Sequence, residues 1–364
     1  MRVAAVVEQC LAPVPGGTGR YAAEVVRALS ERPGLDVETW TAWHRSPERA
    51  EIRGVRGPRR LPLPRRGLIA AWERGLGPVP RGADLVHAPT LLAPPRRDRP
   101  LVVTLHDTVP WTHPETLTPR GVSWHRAMAE RVAHTADAVV VPTWAVADAL
   151  VAHLTPRAVH VIGEGVGGGL TTPPPDADDR AVALDLPPDG YLLSLATLEP
   201  RKGLDVLIRA LAEPSDVSLP LIVVGQSGWG GVDVMALAES HGLSEGRVRL
   251  LGRVSDADLA VVLSRATVLV VPSRAEGFGL PVLEGMAAGV PVVTSSDPAL
   301  VETGGSATRT AGVGDHRALA AVLADVVRDP SERDRMVSAG LVVAARSTWA
   351  KAAGDLTSLY ESLV

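Results

Sequence analysis

Residues 266–294 read ATVLVVPSRAEGFGLPVLEGMAAGVPVVT. Two short β-branched runs bracket a glycine loop and an apolar helix, so the stretch predicts strand, tight loop, helix, strand. Gly277 and Gly279 let the loop take backbone conformations that a side chain would forbid. Leu280 and Pro281 open the helix, and proline suits a first turn whose amide needs no helical partner. The free N–H groups of that first turn form an anion site. Glu276 and Glu284 stand with seven residues between them. A carboxylate in a glycine loop beside an anion site adds little to stability. A ligand with a diphosphate for the amides and hydroxyls for the carboxylates explains both, and a sugar nucleotide is such a ligand.

Outward from this stretch the carboxyl-terminal half keeps alternating. Strands are expected near 191–196, 219–224, 248–251, 266–271 and 291–294, and helices near 204–212, 234–241, 256–265 and 281–288. Such alternation implies a parallel, doubly wound α/β sheet, whose ligands sit past the carboxyl ends of its strands. After the first of these strands comes TLEPRKG, residues 197–203, with Arg201 and Lys202 adjacent. A solvated basic pair is the ordinary reason for two such neighbours. At the same sheet edge as the glutamate loop, a guanidinium fork and a mobile ammonium suit a diphosphate. Gly225 lies in another glycine turn after a strand, and Arg253 and Val254 follow the next one.

The amino-terminal half alternates likewise, with strands near 2–7, 36–41, 84–88, 101–105 and 137–141 and helices near 18–31, 68–76, 122–134 and 145–153. Residues 11–19 form a loop rich in proline and glycine, with Gly16 and Gly17 ahead of the helix. His106 and Asp107 fall at a strand end, which favours a binding role over that of a lone core histidine. Pro142-Thr143 reads as a structural turn first and an acceptor contact second. Arg53, Arg56, Arg59, Arg60, Arg65 and Arg66 cluster among prolines 58, 62 and 64. The prolines rule out a regular amphipathic helix. The cluster reads as a solvated strand and loop, or as a patch for anionic lipid or a phosphorylated acceptor. Glycine-dense 163–169 and proline-rich 171–190 mark a linker. The expected organisation is a first domain over 1–168, a linker over 169–190 and a second domain over 191–346. A final helix within 347–364 has one buried face, carrying Trp349, Ala352, Leu356 and Tyr360.

The length of 364 residues allows two such domains, each with its own core. The net charge of −4 argues against a general nucleic-acid binder. The single cysteine, Cys10, excludes an internal disulfide and points to the cytosol. No run is long enough for a membrane span, so any membrane contact is expected to be peripheral, through the arginines of 53–66. His87, His113, His125 and His134 show no metal-ligand spacing, and the acidic residues 176–179 suit a solvated linker better than a metal.

The glutamate pair with its loop resembles the E-x7-E signature of retaining glycosyltransferases of family 4, and the resemblance covers nearly the whole chain. It implies the GT-B fold: two Rossmann-like, doubly wound parallel-sheet domains facing across a cleft, with the last helix packed back on the first. It also implies a nucleotide-diphosphate sugar donor, a hydroxyl acceptor, retention of configuration, and no metal or other cofactor. By this resemblance Arg201 and Lys202 match an R-K-G element that neutralises the leaving diphosphate, and Glu276 holds sugar hydroxyls. Glu284 holds the ribose, and His106 lies near the transferred sugar. Gly16, Gly17, Gly225, Arg253, Val254, Phe278, Gly279, Leu280 and Pro281 line the donor. Glu164-Gly165-Val166 departs from the Asn-Gly-Val of many relatives. The first half looks like bacterial mannosyl- or rhamnosyl-type enzymes, which favours a GDP- or dTDP-linked donor, with UDP close behind. Two other readings share the fold: a nucleotide-sugar isomerase, and a non-catalytic nucleotide-sugar binder.

Overall fold

Segments such as Ala138–Val141 and Val268–Val271 are apolar at every position and buried at every position. That is the signature of parallel strands covered by helices on both faces. The computed structural model describes residues 1–214 and 217–364. They fall into two units, Met1–Gly165 with Trp349–Val364, and Val166–Thr348.

Unit 1 holds strands β1 (Arg2–Val6), β2 (Asp36–Trp43), β3 (Arg56–Pro64), β4 (Leu85–Ala88), β5 (Leu101–Thr104), β6 (Ala138–Val141) and β7 (Val159–Val161). They form one sheet in the order β3-β2-β1-β4-β5-β6-β7, and each pairing is parallel. Helices α1 (Gly16–Ser30), α2 (Arg65–Glu73), α3 (Val109–Thr112), α4 (Pro119–Thr135) and α5 (Trp144–Val151) connect them. One face of the sheet is filled by Val6, Trp40, Leu61, Leu68, Trp72, Val103 and Val139. The arginine-rich stretch is the edge strand β3, where proline removes no ladder bond that the sheet needs. Thr143 proves to be the cap of α5, its hydroxyl accepting from the Val146 amide at 3.2 Å.

Unit 2 runs through α6 (Ala177–Ala183), β8 (Leu192–Leu195), α7 (Leu204–Ala212), β9 (Leu221–Val224), α8 (Val234–Ser240) and β10 (Val248–Gly252). It continues with α9 (Asp256–Ser264), β11 (Val268–Val271), α10 (Leu280–Ala287), β12 (Val292–Ser295), α11 (Pro298–Gly304), β13 (Thr308–Ala311), α12 (His316–Arg328) and α13 (Pro330–Arg346). The sheet order is β10-β9-β8-β11-β12-β13, again parallel. Alternate strand residues feed opposite faces: Val268 and Val270 join one core, Leu269 and Val271 the other. The last helix, α14 (Trp349–Leu363), belongs to unit 1 and packs on α1. Tyr360 Oη lies 2.7 Å from His87 Nδ1, which ties α14 to β4. Burial, and after it the charge of His106, push His87 down to about 3, so this histidine is neutral.

The elements go beyond the pattern-based expectation: β7, α3 and α11 to α13 were not among the expected ones, and three further points differ. The stretch read as a linker contains α6, held to α9 by Arg180 and Asp258 at 2.7 Å. The polar edge strand β13, TRTA, lacks the apolar run that marks the others. Helix α1 begins at Gly16 rather than near Thr18, so Gly17 and Gly19 lie in its first turn. A side chain at Gly19 would lie 2.5 Å from Pro15 Cβ, so this glycine lets the loop and helix close on each other.

Candidate functional site

In unit 2 the strand order reverses between β8 and β11, the position where doubly wound sheets bind ligands. The loop after β8 carries Arg201 and Lys202, and the loop after β11 carries Glu276. These loops touch. Gly203 has a φ of +66°, and a Cβ there would lie 2.1 Å from the Pro272 carbonyl oxygen, so only glycine allows the approach. The Arg274 amide donates to the Arg201 carbonyl at 2.7 Å, stitching the loops together.

Glu276 is the hub. Lys202 Nζ donates to its Oε1 at 2.6 Å, Arg201 NH1 lies 3.3 Å from Oε2, and the Ser273 hydroxyl donates to Oε1 at 2.7 Å. The Glu276 side chain is 7% exposed. Burial opposes its ionisation, but Lys202 and Arg201 win and hold the carboxyl down to about 2. Arg201 is steered in turn by Glu199, with Nε to Oε1 at 3.1 Å, and by the Ala275 carbonyl. Asp297 caps α11 through the Ala299 and Leu300 amides. Burial first, and the charge of Glu276 after it, raise its carboxyl to about 6. Ser273, Glu199 and Asp297 were not among the expected residues. Glu199 and Ser273 stand inside the quoted stretches, whereas Asp297 leaves no sequence signal beyond its place past a strand end.

The rest of the expected donor set distributes as follows. Gly279 has a φ of +96° and caps α10, whose first residues are Leu280 and Pro281. Glu284 lies on α10 and is 7% exposed. Phe278 packs against the core beside α10, and its carbonyl accepts from Thr303 at 2.6 Å. Gly225 sits where a Cβ would lie 1.8 Å from the Ala196 carbonyl oxygen, so β8 and β9 end in close contact. Val254 packs on the core and Arg253 is exposed beyond β10.

In unit 1, Gly16 has a φ of +62° and is exposed, as is Gly17. His106 follows β5 and its ring is bound at both nitrogens. Nε2 lies 2.8 Å from the Pro89 carbonyl oxygen and Nδ1 3.3 Å from Glu164 Oε1. A carbonyl and an ionised carboxylate only accept, so these two contacts favour a proton on each ring nitrogen. Burial disfavours that charge, yet the hydrogen bond and charge of Glu164 raise the histidine above its ordinary range. Tyr21 meets the ring edge-on at 4.6 Å. Glu164, read from sequence as a departure, is therefore the partner of His106.

The arginine cluster is partly neutralised: Arg56 pairs with Asp36 at 2.6 Å, and Arg59 lies 3.3 Å from Glu38 and 4.7 Å over the Trp40 ring. Among the described residues no group of three or more His, Cys, Asp or Glu could hold a metal ion, and no helix is long and apolar enough to cross a membrane.

Two family models match, Glycosyl transferases group 1 over residues 176–341 and Glycosyltransferase Family 4 over residues 15–167. The chain is 37% identical to O-antigen chain mannosyltransferase B of Escherichia coli over 48% of its length and 46% of that protein's. It is 34% identical to the phosphatidyl-myo-inositol mannosyltransferase of Mycobacterium leprae over 45% and 44% of the two lengths. Against these two it spans less than half of the relative. With D-inositol 3-phosphate glycosyltransferase 1 of Catenulispora acidiphila the identity is 30%, over 96% of this chain and 91% of that one. Two solved structures share the fold. Sucrose-phosphate synthase of Thermosynechococcus elongatus does so with TM-score 0.76 at 22% identity, covering 100% and 99% of the two chains. Anabaena HepE in complex with UDP and glucose does so with TM-score 0.78 at 19%, covering 100% of both.

Proposed function

This chain belongs to glycosyltransferase family 4 and has the GT-B fold, and we propose that it moves a sugar from a nucleoside-diphosphate sugar to an acceptor hydroxyl. The observation that carries the reading is the Arg201–Lys202–Glu276 cluster at the switch point of unit 2. When the bond to the sugar breaks, negative charge gathers on the departing diphosphate and positive character on the ring. Arg201 and Lys202 meet the former with charges already in place. Preorganised donors of this kind typically contribute ~10²–10³ in rate. Glu276 keeps the two cations oriented and offers carboxylate oxygens to sugar hydroxyls, and Glu284 takes the ribose. Both ring nitrogens of His106 are engaged, by the Pro89 carbonyl and by Glu164, so its part is to orient, not to accept a proton.

Retention of configuration belongs to the same proposal, as does metal-independence: two fixed cations do the work of a metal on the diphosphate, and EDTA should leave the rate unchanged. The donor nucleotide is UDP, GDP or dTDP. HepE binds UDP and UDP-glucose, which favours testing UDP first. Arg53, Arg60 and Arg66, exposed around β3, offer an anionic membrane surface a peripheral contact. A thermal-shift screen against UDP-, GDP-, dTDP- and ADP-sugars tests the reading, because a ligand that binds only the folded chain raises its unfolding temperature. Stabilisation by at least one donor is expected, followed by sugar transfer to added acceptor. Epimerised donor without acceptor would instead indicate an isomerase, and stabilisation without any turnover a binding protein.

A further inference from the structure

We propose that Glu8, His44 and Arg65 form a second ligand site, on unit 1, for a phosphate group carried by the acceptor. The word acceptor rests on the transferase reading; phosphate binding itself does not. The three residues come from the carboxyl ends of adjacent strands: Glu8 just past β1, His44 directly after β2 and Arg65 directly after β3. That edge is where parallel sheets place ligands.

Glu8 is 1% exposed and serves as the anchor. Its Oε2 accepts from the Ala42 amide at 2.8 Å, and its Oε1 lies 2.9 Å from His44 Nε2 and 3.3 Å from Arg65 Nε. A carboxylate this deep needs its cationic and N–H partners. The two partners are not used up by Glu8. The side chains of His44 and Arg65 stay 23% and 35% exposed. Arg65 Nε is buried without an aligned hydrogen bond, and among the described residues nothing bonds the other two guanidinium nitrogens or His44 Nδ1. Glu8 engages His44 Nε2, which leaves Nδ1 open to a ligand as acceptor or donor according to its protonation.

The vacant groups are thus a planar donor fork and one ring nitrogen. A phosphate monoester meets both in either charge state, with anionic oxygens for the fork and an oxygen or a P–OH for Nδ1. Exposed Arg45 and Arg66, next in sequence to His44 and Arg65, add a field of the same sign.

The test is NMR of the His44 ring in the full chain during titration with inorganic phosphate. The resonances are expected to shift saturably, and Arg65→Gln is expected to weaken the effect about tenfold or more. Arg97→Gln, an exposed arginine outside the β3 cluster, should match the wild type. Unmoved His44 resonances, an unaffected Arg65→Gln, or an equal loss in Arg97→Gln would each overturn the site. Glycerol 3-phosphate shifting the ring would assign a soluble phosphorylated acceptor. A shift only with phosphatidylcholine vesicles containing phosphatidic acid would assign a lipid headgroup. Saturable binding in a chain that transfers no sugar keeps this site and ends the transferase reading; transfer with no shift ends the site alone.

Discussion

Glu276 keeps its charge in the interior because each of its oxygens faces a cation, and the same contacts hold Arg201 and Lys202 out of free solution. Its folded carboxyl is held at about 2 against an ordinary 4.5, so ionisation stabilises the fold at neutral pH, and that contribution is lost as pH falls through this range. His106 has the opposite sign. With its folded value raised by Glu164, its contribution is full below the unfolded histidine value of about 6.5 and is lost as pH rises through the folded one. Glu164→Gln removes the charge but keeps an acceptor. In that variant NMR should find the His106 titration moved to lower pH. A His106 titration identical to the wild type would show that Glu164 does not hold the proton.

At the scale of elements, two loops from different strands make the site, and Gly203 is where they meet. Gly203→Ala would put a methyl group against the Pro272 carbonyl in left-handed backbone, which costs roughly 1–2 kcal/mol for the conformation alone. Denaturant unfolding should show that loss, and nucleotide affinity should fall with it as Lys202 and Glu276 move apart. Full stability together with full affinity would mean that the close approach is dispensable. This pairing was half legible in sequence. Arg201, Lys202 and Glu276 stand out because charge at a strand end is conspicuous, and alternation puts both loops at one edge. Ser273 and Asp297 are ordinary loop residues until the fold brings them to Glu276. The pairing of Glu164 with His106, 58 residues apart, is a tertiary contact that no local pattern encodes. Helices α11 and α13 and strand β13 escaped notice because their buried faces lean on small or polar residues, such as Gly340 and Ala344 on α13. Helix α12 has an ordinary apolar face, Leu319, Leu323 and Val326, and was legible in the sequence.

Over the whole molecule, the chain leaves unit 1 at Gly165 and returns at Trp349. The two ends of unit 2 lie side by side, the Val166 amide donating to the Ser347 carbonyl at 3.2 Å. Residues 166–348 are therefore expected to fold alone, giving dispersed NMR spectra and cooperative unfolding. Residues 1–165 without α14 should not, since the His87 ring loses Tyr360 and α1 loses its cover. A cooperatively folding 1–165 fragment would contradict this partition. The central claim is that Arg201 and Lys202, braced by Glu276, receive the diphosphate of a sugar nucleotide. Its most direct test is calorimetric titration of the wild type and Lys202→Ala with UDP, GDP and dTDP. At least one should bind the wild type and bind the variant about tenfold or more weakly, with the unfolding midpoint preserved. Equal affinity in the two proteins, or no heat from any nucleotide with the wild type, would contradict the account.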